Sequence, residues 1–352
     1  MKDTHKDYAP GSHPNLPPPV TSRGAIRWVR ENLLSSPTNT VLTLLAIYLV
    51  YVVVPPLFNW AVLNSVVDAG SREECWSKTD GGACWAVVSV RFSQLMYGFY
   101  PEALRWRVDL TFILLSIAVV PILFDKVRFR RQWLMFSMVY PVIAYFLLWG
   151  GMGLEHVESA KFGGFMLTLV IGLTGIAVSL PIGILLALGR WSDLLALKVI
   201  STCFIEFIRG VPLITLLFVA STLLNYFLPP GTYFDLLLRV LIMVTLFSAA
   251  YIAEVIRGGL QAIPKGQFEA AMAMGLSYWK MMGLIVLPQA MKISIPGIVN
   301  TFIGLYKDTT LVVIIGLLDP LGLTQSILAD SKWQGLSTEL YVFIAAFFFV
   351  SC

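Results

Sequence analysis

Phe162 to Gly189 reads FGGFMLTLVIGLTGIAVSLPIGILLALG, a run without a single charged side chain. A helix needs about 20 consecutive apolar residues to cross the hydrocarbon core of a bilayer, and this run is longer than that. Asn32–Val67, Gln132–Leu154 and Gly210–Phe234 are likewise free of Asp, Glu, Lys and Arg. No soluble core accounts for four such runs. With 57% hydrophobic and 13% charged residues, the chain lies far from the roughly 25% charge of ordinary globular domains. Its solvent is largely lipid.

Working outward from Phe162, the pattern predicts an all-α, polytopic integral membrane protein of about eight transmembrane helices. The spans run near Val41–Phe58, Val108–Phe124, Trp133–Gly150, Gly163–Leu188, Val211–Leu228, Leu236–Ile256, Gly283–Tyr306 and from Leu340 onward. Two are interrupted: Leu236–Ile256 by Arg239 and Glu254, and Gly283–Tyr306 by Pro288, Lys292 and Pro296. Interrupted spans often line a polar path. Leu311–Gln325 is too short to cross and is broken by Asp319-Pro320, so it reads as interfacial or re-entrant. The segment from Leu340 to Cys352 also falls short of a crossing, and the expectation is a chain that stops mid-helix. The polar, Pro-rich Met1–Ser36 does not read as a signal peptide.

Orientation follows from positive charge, because cytoplasmic loops carry the excess of Lys and Arg. With the N-terminus inside, the inner segments hold 16 of the 25 Lys and Arg residues, DKVRFRR (Asp125–Arg131) being the strongest single marker. Arg105 and Arg107, at an outer edge, run against this assignment. The formal net charge of +4 then reflects orientation rather than nucleic-acid binding. The expected division is a cytoplasmic tail (1–40), an extension of three helices (41–158) with a periplasmic loop (59–107), and a transmembrane domain (159–352). Cys75 and Cys84 would share that outer loop, in an oxidising compartment and at a spacing able to close a small ring, which predicts a disulfide. The four cysteines form no CxxC pair and lie near no His cluster, so no metal site is expected.

Between the sixth and seventh spans lies GGLQAIPKGQFEAAMAMGLSYWKMMGLIVLPQAMKISIPGIVN (Gly258–Asn300). Here Glu269, Ala270 and Ala271 are followed after three residues by Gly275, and after nine more by Ile285, one residue, Leu287 and Pro288. This complete pattern resembles the signature of inner-membrane permeases of ABC importers. FIEFIRGVPL (Phe204–Leu213), AYIAEVIRGGLQAIPKGQ (Ala250–Gln267) and NTFIGLYKDTTL (Asn300–Leu311) narrow the resemblance to polar-amino-acid permeases, especially the general L-amino-acid subgroup. The first three spans resemble that subgroup's N-terminal extension.

The resemblance implies a type I importer fold in the C-terminal half and a loop, 258–283, that docks on a cytoplasmic ATPase. Glu269, Ala270, Ala271 and Gly275 would carry that coupling. The implied partners are an ATPase dimer, a second permease subunit, a periplasmic amino-acid-binding protein and the lipid bilayer of a bacterial inner membrane. Read by themselves, the alanines favour helix and leave a shallow surface, while Gly275 permits a sharp change of direction.

No GxxxxGK[ST] phosphate loop occurs, so ATP is expected to be bound by a partner subunit and no cofactor by this chain. His5, His13 and His156 fall outside the spans, which argues against intramembrane hydrolase chemistry. A gradient-driven secondary transporter is the alternative class, since it too would have interrupted helices and buried charge. Glu206/Arg209 and Glu254/Arg257, each at i, i+3, read as self-neutralising pairs at span ends. Gly172, Gly175 and Gly183 read as packing contacts. For a zwitterionic solute, neutral polar groups must replace water in hydrocarbon; Asn300, Thr301, Asn225, Thr245 and Ser248 are the candidates. Lys307 and Asp308, just outside the seventh span, offer an outer gate, and read first as a solvated ion pair.

Overall fold

The computed structural model describes residues 24–124, 126–223, 226, 229, 231 and 234–352, and among them it is helical without strands. Two compact units emerge. One takes in the described chain from Gly24 up to Val66 together with Trp76–Ala83, and the other Val67–Cys75 with the described residues of Cys84–Cys352.

In the first unit, α1 (Gly24–Asn32) precedes α2 (Pro37–Phe58). The α2 start is encoded locally. Ser36 accepts a hydrogen bond from the Asn39 N–H at 3.2 Å, and Pro37 occupies the first turn, where its missing N–H costs nothing. Past Pro55 and Pro56 the helix widens into a π turn, Asn59–Leu63. The unit closes where the Val66 N–H donates to the Ala83 carbonyl and the Ala83 N–H to Trp60.

The second unit starts with α3 (Arg72–Lys78), which straddles the boundary, and α4 (Ala86–Tyr97). A disulfide joins Cys75 to Cys84, with Cα atoms 5.8 Å apart. The α5 (Arg105–Leu123) and α6 (Arg130–Trp149) helices form a hairpin, followed by α7 (Gly164–Trp191). Next come α8 (Leu195–Gly210), α9 (Leu213–Thr222), α10 (Leu236–Gln261), α11 (Lys265–Ala273), α12 (Tyr278–Met281), α13 (Leu287–Asp308), α14 (Pro320–Leu328) and α15 (Ser337–Ser351). Thus α5 and α6, which the sequence groups with an extension, pack in the same unit as α7–α15.

The expected number of spans, about eight, is approximate. Among the described residues, six helices are long and apolar enough to cross a membrane, or seven if α8 and α9 count as one. Those two meet at 101°, at Val211-Pro212, so the span expected from Val211 starts at a sharp bend. Proline disfavours helical geometry in the residue before it, and the chain turns there. At 15 residues α15 is short for a crossing. A different break introduces α13: Pro288 cannot donate the i→i−4 bond, and the turn before it, Met282–Val286, widens to π.

Packing centres on α7 and α10. Small residues let the backbones approach: a Cβ placed on Gly183 would lie 2.6 Å from Ile252 Cγ2, and one on Gly175 would lie 3.1 Å from Leu305 Cδ2. One core cluster joins Val108, Leu148, Phe162, Met166, Ile171, Val240 and Val244 across α5, α6, α7 and α10. A second gathers Ala187, Ile205, Ile252, Ile256, Met282 and Ala290 near the other ends of α7 and α10. Asp235 caps α10, its Oδ1 accepting the Leu237 and Leu238 N–H groups at 2.9 and 3.3 Å, while Ser159 donates to its other oxygen. At the start of α7, Gly164 has φ +61° and no room for a Cβ, which would fall on the Leu95 carbonyl.

Candidate functional site

Three arrangements within the second unit carry polar chemistry. The first is α11 and the turn after it. Glu269 and Ala270 are exposed on this nine-residue helix. Ala271 instead faces inward, 1% exposed among Ile263, Met281 and Met282, so its small side chain seats the helix rather than offering a surface. The Phe268 ring stacks on Trp191 with centroids 6.3 Å apart. Gly275 has φ +71°, a left-handed conformation that a side chain would strain, and so the turn there requires glycine. Around it Met272, Met274 and Trp279 are 58, 78 and 74% exposed. Large exposed apolar side chains beside a charged helix make a surface suited to burial by another protein.

The second is a charge network. Arg190 from α7 donates to Glu206 at 2.7 Å and to Glu254 at 3.2 Å, joining α8 to α10. Arg257 forks onto Glu254 with its Nε 3.0 Å from both oxygens, and Arg209 lies 3.6 Å from Glu254. The two local pairs expected to neutralise themselves are therefore one five-residue network of three arginines and two glutamates. Arg209 reaches Glu206, its i, i−3 neighbour, only at 4.0 Å. Its guanidinium instead lies over the Tyr251 ring, 5.6 Å from the centroid. Because the members are only partly buried, each contact alone is weak; their linkage gives the network its rigidity.

Tyr251 leads to the third arrangement, a cleft of about 280 Å³ between α10 and α13, lined by Phe247, Ser248, Tyr251, Asn300, Thr301 and Asp308 among others. Ser248 is 1% exposed, and its hydroxyl has no hydrogen-bond partner. Such a buried donor is costly unless something supplies an acceptor. Asn300 is exposed and Thr301 bonds back to the Gly297 carbonyl at 2.9 Å. Asp308 is half-buried in this cleft rather than fully solvated.

The geometry can be set beside known proteins. Residues 179–352 match the family described as binding-protein-dependent transport system inner membrane component. Across nearly the whole chain, a Rhodobacter capsulatus protein named glutamate/glutamine/aspartate/asparagine transport system permease protein BztC is 46% identical, covering 95% of this chain and 92% of its own. The chain belongs to this permease family. An Escherichia coli inner membrane amino-acid ABC transporter permease, YhdY, is 47% identical over 97% of this permease and 93% of its own length. A solved amino acid ABC transporter with histidines aligns over 53% of the permease and 84% of that chain, at 30% identity and a TM-score of 0.47.

Of the permease's five expected path residues, the cleft brings together Ser248, Asn300 and Thr301. Thr245 is buried one turn from Ser248 and does not line it, and Asn225 lies outside the described residues. Arg190 and Tyr251 were missed, and Asp308 was considered only together with Lys307. Arg190 meets Glu254 across 64 positions, a separation that leaves no local signal. A tyrosine at a span end reads as an interfacial anchor, which hid Tyr251. The two arginines at the expected outer edge have partners in the structure. Arg107 is buried and donates to the Glu155 carbonyl at 2.7 Å, and Arg105 pairs with Glu102 at 3.2 Å over the Tyr97 ring.

Proposed function

We propose that this permease, a membrane-spanning subunit of a binding-protein-dependent transport system, moves amino acids inward with ATP hydrolysed by a cytoplasmic partner dimer. It would work with a second permease subunit and a periplasmic binding protein, its N-terminus on the cytoplasmic side of a bacterial inner membrane. The observation that carries this reading is the complete Glu269–Pro288 pattern on an exposed helix, closed by a glycine in a left-handed turn. An energised partner that closes on α11 would move it as a rigid lever, because Ala271 and Phe268 tie it to the inner ends of α7 and α13. The names of the relatives support amino acids as the substrate class. Neutral Ser248, Asn300 and Thr301 suit a solute whose common amino and carboxyl groups are read while its side chain is loosely held, with Asp308 available to a cationic ammonium.

The test is uptake of labelled amino acids into proteoliposomes containing the whole complex and its binding protein. We expect transport to need internal ATP and no ion gradient. Glu269→Lys should abolish uptake at least tenfold while leaving membrane insertion intact, and Asn300→Ala should change the maximal rate or the range of amino acids taken. Normal ATP-driven uptake by Glu269→Lys would sink the coupling role. Gradient-driven uptake without ATP would move the permease to the other transporter class.

A further inference from the structure

The cleft between α10 and α13 has a floor. Toward the α11 end the two helices close on each other: a Cβ placed on Gly297 would lie 2.6 Å from Val255 Cγ1, and one on Gly259 would lie 2.6 Å from the Ala290 carbonyl oxygen. The Ser294 hydroxyl donates to the Val255 carbonyl at 3.3 Å across the same seam. The cleft begins where this seam ends, and Tyr251 stands at that edge, one turn of α10 before Val255. Along α13 the walls run from Asn300 to Asp308, about 12 Å at 1.5 Å per residue. Asp308, at the end away from the floor, is the one charged residue on these walls among the described residues.

Tyr251 joins this floor to the charge network. Its ring packs on Phe247, another wall residue, with centroids 4.8 Å apart, and it carries the Arg209 guanidinium. Arg209 is not on the wall; it comes from α8, two residues before the 101° corner begins at Val211. Glu254 does not depend on it, because Arg257 at 3.0 Å and Arg190 at 3.2 Å are the nearer partners and Arg209 stands at 3.6 Å. The Arg209 Nε is buried with no hydrogen-bond partner, so the ring and two loosely held carboxylates are what fix this side chain. Its distinctive contact is therefore the one from the α8–α9 corner to the Tyr251 ring. On the reading of this chain as an amino-acid importer, we propose that Tyr251 is a solute-contacting residue at the floor of the cleft and that Arg209 is the positioning residue that holds its ring. A solute resting on the ring is then felt by the charge network and by the corner. The link is reciprocal: whatever steadies the ring steadies Arg209, and a shift of the corner releases the ring.

The test measures ATP hydrolysed and amino acid taken up together, in proteoliposomes holding the whole complex and its binding protein. Tyr251→Leu removes the ring, and Arg209→Gln removes the cation while leaving Glu254 to Arg190 and Arg257. We expect each to raise the ATP spent per amino acid imported by about fivefold or more, the lower end of ordinary coupling between sites. Tyr251→Phe, which keeps the ring face, should recover most of what Tyr251→Leu loses. The double variant should be no worse than either single one, because both remove the same contact. Either single variant carries the test if the other fails to assemble. An unchanged ratio in the assembled variants of a parent that imports with ATP, or losses that add in the double variant, would overturn the Arg209–Tyr251 link alone. Uptake by the parent that runs on an ion gradient without ATP would instead remove the importer reading, and the link with it.

Discussion

Two of the spans, α2 and α10, are both strongly apolar, yet no residue of α2 is buried whereas nearly half of α10 is. Apolarity alone therefore does not decide which helix packs. The difference lies in side-chain size. The α2 sequence, PTNTVLTLLAIYLVYVVVPPLF, has one alanine and no glycine, and its bulky residues spread around the whole circumference. The α10 sequence carries Ser248, Ala249, Ala250, Ala253, Gly258 and Gly259, and small residues are what let transmembrane backbones meet when lipid is as apolar as leucine. Within its own unit, a span that organises a bundle can thus be recognised by where the small residues fall.

The hardest blow to this comparison would come at the α7–α10 seam. Gly183→Leu would push a Cβ against Ile252 and the Ala249 carbonyl. We expect it to cost about 3 kcal/mol, the upper part of the usual overpacking range, read as a fall in the thermal unfolding midpoint of the detergent-solubilised permease. An unshifted midpoint would mean that the small residues are not what holds the bundle.

A smaller effect should appear at Asp319, outside the membrane-spanning helices. Burial pushes its carboxyl up to about 6, although the Gly322 N–H, 2.8 Å from Oδ1, pulls the other way. The folded state then holds the proton more tightly than the unfolded one. Stability is greatest below about pH 4, falls as pH rises through 6 and is flat above that, a total change of about 3 kcal/mol at most. Asp319→Asn keeps an oxygen to cap α14 and removes the charge. Its unfolding midpoint should be independent of pH between about 4 and 6 and higher than the parent's at pH 7. A slope retained in the variant would assign the titration elsewhere.

The smallest expected effect is the control. Leu45→Ala with Leu49→Ala, both exposed on α2, should shift the midpoint by less than about 0.5 kcal/mol equivalent, as for surface positions generally. A shift as large as that of Gly183→Leu would show that α2 is a packing helix after all.

Much of this was legible beforehand for an identifiable reason. Uncharged runs declare the long helices because each must satisfy its own backbone in lipid, and the Glu269–Pro288 spacing is contiguous in the chain. Ser248, Asn300 and Thr301, which line one cleft, stood out in the sequence because neutral polar residues are conspicuous in apolar spans. What stayed hidden depends on distant partners or on bending. The break at Val211-Pro212 divides an amphipathic helix containing Lys198, Glu206 and Arg209 from an apolar one, and only the second resembles a span. Arg190 looks like the end of a helix until Glu206 and Glu254 are seen folded around it.

The loop closed by Cys75 and Cys84 has a consequence for the order of synthesis. Its contacts lie far downstream: Arg91 pairs with Asp330, 239 positions later, and the Cys84 N–H donates to Glu339, 255 positions later. At translation rates of about 5–20 residues per second, those partners arrive roughly 12–50 seconds after the loop itself. The two cysteines are separated by only nine positions and need wait for nothing but an oxidant. During that interval the cross-link holds α3 against the start of α4, so the earliest-made piece of this surface keeps its shape until the last-made piece comes to meet it.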